Sequence, residues 1–106
     1  MREVVLALSE YNVLGVDLEY NQVCKMGTVL SLVQLSTVKC DYIIDALQMR
    51  DNRLYSELRC VLQDPKVIKV LHGGDSDVQL LAADLDIACV NVFDTARAFQ
   101  FLQRMP

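Results

Sequence analysis

Gly15-Val16-Asp17-Leu18-Glu19 sets two acids two residues apart inside an apolar run. Side chains alternate along a strand, so Asp17 and Glu19 would share one face and Val16 and Leu18 the other. Two carboxylates side by side repel unless a cation or a proton is shared between them. A half-buried strand has reason to keep such a pair where it binds something positive. The ordinary alternative is a strand that ends here with both acids in water.

Outward from this stretch, residues 13–20 read as the first strand. Residues 21–27, polar and ended by Gly27, read as a turn. Residues 28–37 (TVLSLVQLST) are a β-branched, partly alternating second strand. Val38-Lys39 makes a tight connection, and residues 40–47 (CDYIIDAL) a third strand closing near Asp45. Short connections predict an antiparallel meander. Upstream, Val4, Val5, Leu8 and Tyr11 predict a short amphipathic helix over residues 3–11.

Downstream the period changes. Leu54, Leu58, Val61 and Leu62 have helical spacing, stopped by Asp64-Pro65. Residues 67–71 (VIKVL) read as a buried strand and His72-Gly73-Gly74 as a turn. Val78, Leu81, Ala82 and Leu85 mark another helix, and residues 88–93 (ACVNVF) a fifth strand. Asp94-Thr95 reads as the N-cap of a last helix with Ala98, Phe99, Leu102 and Met105 on one side. Phe99, Phe101 and Leu102 are expected in the core rather than as a base-stacking platform. The whole is one α/β domain with a mixed sheet: a three-strand antiparallel meander, then parallel strands alternating with helices.

Composition narrows the function. The 106 residues are 53% apolar, with neither a low-complexity tract nor a signal-peptide pattern. No apolar run reaches membrane-spanning length, so no membrane role is expected. The net charge of −4 argues against a general electrostatic grip on nucleic acid, though not against carboxylates that hold metal ions which then meet phosphate. Cys24, Cys40, Cys60 and Cys89 are widely spaced, and with one His they make no zinc pattern. Isolated thiols fit a reducing, intracellular setting. Gly73-Gly74 lacks the Gly-x-Gly-x-x-Gly of a dinucleotide loop.

The carboxyl end of residues 67–71, ahead of a helix, is where open α/β sheets place sites. Asp75-Ser76-Asp77 stands there. One acid caps the helix and the other is spare, and spacing does not choose between them. With the first and fourth strands adjacent, the spare acid approaches Asp17 and Glu19. Three converging carboxylates are a hard-oxygen set suited to Mg²⁺ or Mn²⁺.

Taken together, these stretches resemble the DEDD 3′–5′ exonucleases. Val16-Asp17-Leu18-Glu19, Leu32-Val33-Gln34-Leu35-Ser36-Thr37 and Asp41-Tyr42-Ile43-Ile44-Asp45 resemble their opening strands. Lys69-Val70-Leu71-His72-Gly73-Gly74-Asp75-Ser76-Asp77 is similar to their second motif, and Val92-Phe93-Asp94-Thr95 to the junction that follows. The branch implied is that of ribonuclease D and the exonuclease of the nuclear RNA exosome.

The resemblance implies a ribonuclease H-like fold and two divalent cations, Mg²⁺ or Mn²⁺. It implies Asp17, Glu19 and Asp77 as catalytic metal ligands, which leaves Asp75 to cap the helix. It further implies hydrolysis from the 3′ end of nucleic acid, single-stranded RNA before DNA, with the exosome as partner and a nuclear setting. Leu18, Tyr20, Gln34 and His72 are the residues that would meet substrate. For Leu18 the alternative is core, for Gln34 a hydrogen bond within the sheet, and for His72 a packed or backbone-bonded position.

The family's third motif, a Tyr or His four residues before an Asp, has no match in this sequence. The family's His after the acid pair is Tyr20 here, followed later by Val23-Cys24-Lys25 where an aromatic–Arg pair is expected. Residues 1–106 are therefore expected to be a partial exonuclease domain, incomplete at the C-terminus, with apolar surface exposed where further helices would pack. The alternative function is a non-catalytic ribonuclease H-like module that binds RNA or a protein partner.

Overall fold

The computed structural model describes residues 2–23, 27–48 and 55–105. In chain order the elements are α1 (Arg2–Leu8), β1 (Val13–Val23), β2 (Gly27–Ser36), β3 (Asp41–Asp45), α2 (Tyr55–Leu62), β4 (Ile68–Leu71), α3 (Asp75–Leu85), β5 (Val92–Asp94) and α4 (Thr95–Gln103). The strands form one sheet in the order β3-β2-β1-β4-β5. β1 pairs antiparallel with β2, which pairs antiparallel with β3, while β1–β4 and β4–β5 are parallel. The meander and the parallel half meet at β1.

Alternation builds the core on one face. Leu14, Val16 and Leu18 of β1 are buried with Val33 and Leu35 of β2 and Ile44 of β3. Leu58, Val61 and Leu62 of α2 and Leu81 and Leu85 of α3 close over them. The opposite face carries Asp17 and Glu19 and leaves Ile43 of the edge strand 70% exposed.

Several boundaries differ from the sequence reading. α1 stops at Leu8, where Ser9 Oγ donates to the Leu6 carbonyl (2.6 Å). Of the expected turn over residues 21–27, residues 24–26 lie outside the described residues, and Asn21, Gln22 and Val23 are strand, pairing with Val29, Thr28 and Gly27, so β1 and β2 form a long ribbon. Leu54 lies outside the described residues, and Ala82 is exposed rather than core. The fifth strand begins at Val92, not residue 88. The N–H groups of Ala88 and Val90 bond Gln63 Oε1 and the Leu62 carbonyl at the end of α2, leaving no ladder for β4 there.

The apolar side of α4 is also corrected. Phe99, Phe101, Leu102 and Met105 are 60%, 66%, 63% and 56% exposed, and no residue of this helix is buried. The sheet's covered face already has its layer in α2 and α3, so nothing among the described residues lies over this side. No helix among the described residues is long and apolar enough to cross a membrane.

Lys69, midway along β4, is fully buried. It pairs across from Leu14 on the core face, and its Nζ reaches out to the Asp64 and Val67 carbonyls (2.5 and 2.8 Å). Burial pushes its pKa down. The ammonium thus locks the α2–β4 turn that aligns β4 against β1. Lys69→Met keeps the stem but takes the ammonium from the Val67 carbonyl and leaves the Asp64 carbonyl with the Val67 N–H alone; we expect a loss of about 1–3 kcal/mol, read by chemical denaturation with unchanged far-UV circular dichroism.

Candidate active site

Asp17 and Glu19 stand opposite Gln34 and Leu32 on β2. Directly opposed residues of an antiparallel pair share a face, so Gln34 flanks Asp17. On the other side, Gly15 is level with Val70, and two residues further Asp17 reaches the level of His72, where β4 has ended. A cleft of about 450 Å³ opens at this strand end, lined among others by Gly15, Asp17, Ser36, Val70, His72 and Thr95. This is the carboxyl-end position expected for a site in such a sheet.

A bulge adjoins Glu19: the register shifts between Glu19 and Tyr20, with Ser31 left as the extra residue of β2. Ser31 Oγ donates to the Glu19 carbonyl (3.0 Å), and Asp84 of α3 accepts the Leu30 N–H (2.9 Å). Bulges bend a strand and re-aim side chains. No pattern in residues 28–37 announced this one.

Asp77 lies in the first turn of α3, half-buried. Its pKa is raised, first by burial and then by the charges of Asp17, Glu19 and Asp94. The fold therefore brings all three expected ligands into electrostatic range, across a strand-end junction that neither β1 nor α3 shows alone. Asp17 turns one carboxylate oxygen to its neighbour's amide, Leu18 N–H (3.0 Å). Among the described residues no group of three or more His, Cys, Asp or Glu side chains is arranged to hold a metal ion as placed. The donor chemistry nonetheless fits a hard cation: every group is a carboxylate, and mutual repulsion raises the proton affinity of the half-buried one.

The turn between β4 and α3 is built on two glycines. Gly73 has φ +65, the left-handed region. A Cβ on Gly74 would sit 2.7 Å from Leu71 Cβ. His72 is exposed, and its Nδ1 lies 2.8 Å from Thr95 Oγ1. Thr95 spends its single hydroxyl proton on the Leu71 carbonyl (3.2 Å), so it accepts from His72 Nδ1–H. Nε2 of the ring is the nitrogen left for the cleft. The expected packed or backbone-bonded histidine is thus a side-chain-anchored one.

The other residues expected near substrate divide. Gln34 is half-buried and its Nε2 lies 3.5 Å from Ser36 Oγ, a contact within the sheet. Leu18 takes its core alternative at 5% exposure. Tyr20 continues the Val16–Leu18 side of β1 opposite fully buried Leu30, so alternation turns it away from Asp17 and Glu19. Asp75 is not the cap: the N-cap position of α3 is Gly74, with no side-chain cap, and Asp75 pairs instead with Arg97 Nη2 of α4 (2.6 Å). Both partners are two-thirds exposed, so the pair contributes little by itself.

Asp94 is the residue sequence reasoning undervalued. It caps α4 as expected, accepting from Ala96 and Arg97 N–H (2.9 and 3.3 Å). It also accepts Gly73 N–H (2.9 Å) and Gly74 N–H (2.8 Å). Those two amides first, then the Arg97 and Ala96 amides, hold its pKa down to about 2 against the effect of burial. The Asp-Thr dipeptide signalled the cap; the long-range half had no sequence signal.

Comparison with known proteins agrees with this geometry. A family model described as 3′–5′ exonuclease matches residues 1–105, and the chain belongs to that family. The Drosophila melanogaster Exosome complex component 10 homolog is 37% identical over 102 residues, covering 96% of this chain and 11% of that protein. The catalytic core of RRP6 from Trypanosoma brucei superposes with a TM-score of 0.87 at 35% identity, over 98% of this chain and 28% of that one. Escherichia coli RNase D, described as an exoribonuclease involved in structured RNA processing, gives a TM-score of 0.77 at 25% identity, over 88% of this chain and 24% of its own. Within the family the chain falls in the ribonuclease D/RRP6 branch of the DEDD superfamily, with its ribonuclease H-like fold. It spans 11% of the length of the first curated relative it matches.

Two outcomes follow from the site's geometry. Gly73→Ala forces an L-residue into the left-handed region and should cost about 1–2 kcal/mol in denaturant melts. Asp77 has a folded pKa above its unfolded one, so its ionisation destabilises the fold as pH rises through that window, and the cost is absent below it. Asp77→Asn should therefore melt higher than the wild type at pH 7 without added cation. Mn²⁺ should raise the melting temperature of the wild type and leave the variant unchanged.

Proposed function

We propose that this chain is a 3′–5′ exoribonuclease domain that hydrolyses phosphodiester bonds at the 3′ end of single-stranded RNA. The observation that carries the reading is the electrostatic convergence of Asp77 with Asp17 and Glu19 at the end of adjacent parallel strands. Asp17, Glu19 and Asp77 would hold the divalent cations, Mg²⁺ or Mn²⁺. Bound there, such ions stabilise charge on the phosphate oxygens and activate water.

The chain's own residues supply position. Glu19 and Asp17 are set by the register with Leu32 and Gln34. Asp77 is delivered by the two-glycine turn. His72, anchored by Thr95, presents Nε2 to the cleft, where it bonds a phosphate or sugar oxygen of the terminal nucleotide. The three carboxylates give the cleft a negative field that repels bare phosphate, so RNA enters only with the cations in place.

RNA rather than DNA is favoured by the exoribonuclease description of the Escherichia coli neighbour. The name of the Drosophila relative supports association of the whole protein with the RNA exosome, and with it a nuclear setting.

The test is digestion of a 5′-labelled single-stranded RNA with Mn²⁺. The wild type should give a ladder shortening from the 3′ end, and Asp17→Asn should slow it by at least about 100-fold. Equal laddering by both proteins overturns the assignment. RNA binding without any laddering assigns the chain instead to the alternative, a binding module on the same fold.

A further inference from the structure

The segment that delivers Asp77 is tied to the start of α4 at every step. Thr95 Oγ1 holds the Leu71 carbonyl and receives His72 Nδ1, Asp94 takes the amides of Gly73 and Gly74, and Arg97 holds Asp75. Asp77 follows two residues later. By contrast α3 has no side-chain cap of its own to set where its first turn begins.

The hydrogen-bond count decides what Asp94 does. Oδ1 accepts from Gly73, Ala96 and Arg97, and Oδ2 from Gly74. An ionised carboxylate has about two acceptor positions on each oxygen, so Oδ1 is fully taken by backbone amides and Oδ2 holds the Gly74 amide, which commits this carboxylate to the two loop glycines and the helix cap. Its charge nevertheless lies close enough to Asp77 to act on it. We propose that Asp94 is a positioning residue for the metal centre: by gripping Gly73 and Gly74 from the cap of α4, it fixes the turn that brings Asp77 toward Asp17 and Glu19.

This inference rests on the nuclease reading above, and its test separates the two. Asp94→Ser keeps an N-cap for α4 but is too short to reach Gly73 and Gly74. Asp94→Asn keeps the cap and one of the two loop acceptors. Mn²⁺ binding by electron paramagnetic resonance is measured on each, beside thermal melts, amide exchange at Gly73 and Gly74, and kinetics on RNA.

Asp94→Ser should weaken Mn²⁺ binding about tenfold or more and speed exchange of the two glycine amides. It should lower kcat with KM for RNA unchanged, while the melting temperature stays within a few degrees. Asp94→Asn should fall between it and the wild type. Unchanged Mn²⁺ affinity in folded Asp94→Ser, or losses that only track its unfolded fraction, overturn the positioning role and leave the nuclease reading standing. A wild type that binds no Mn²⁺ overturns both.

Discussion

Alternation along β1 is the constraint on which the site depends. The same pleat that sends Leu14, Val16 and Leu18 into the core sends Asp17 and Glu19 to the open face. Slipping the register by one residue would bury both acids and expose the core of the strand, so the hydrophobic pattern itself protects the carboxylate pair. β1 is also the one strand with an antiparallel neighbour on one side and a parallel neighbour on the other. The parallel neighbour is what allows a second acid to arrive at its end.

Bringing acids together works against stability, and the surrounding structure compensates with rigid backbone attachments. The raised pKa of Asp77 records first its burial and then the opposition of its neighbours. Around it, Lys69 locks the turn before β4, Asp84 and Ser31 hold the bulge beside Glu19, and Asp94 grips the two glycines. Each attachment is a side chain bonded to main chain, which fixes where a carboxylate emerges without neutralising it.

Among the described residues the buried core lies on one face of the sheet, beneath α2 and α3. The outer side of α4 and the open face of the edge strand leave Phe99, Phe101, Leu102 and Ile43 well exposed. This exposure explains why helical periodicity misled for α4: an amphipathic stripe shows that a helix has an apolar side, and says nothing of what covers it.

Periodicity and local chemistry were enough to establish the element order, the change from meander to alternating helix and strand, and the cap at Asp94-Thr95. They also placed Asp17 and Glu19 on one face, because these are consequences of neighbouring residues and a strand's two-residue repeat. The resemblance chose Asp77 over Asp75. Only the tertiary structure decided the rest: that β4 lies beside β1, that Asp75 answers Arg97, and that a bulge sits beside Glu19. These depend on partners 20 or more residues away or on register between strands, such as the 21 residues separating Gly73 from Asp94. A linear pattern carries the preference of each segment, whereas the meeting of segments is set by packing and by which backbone groups still need a partner.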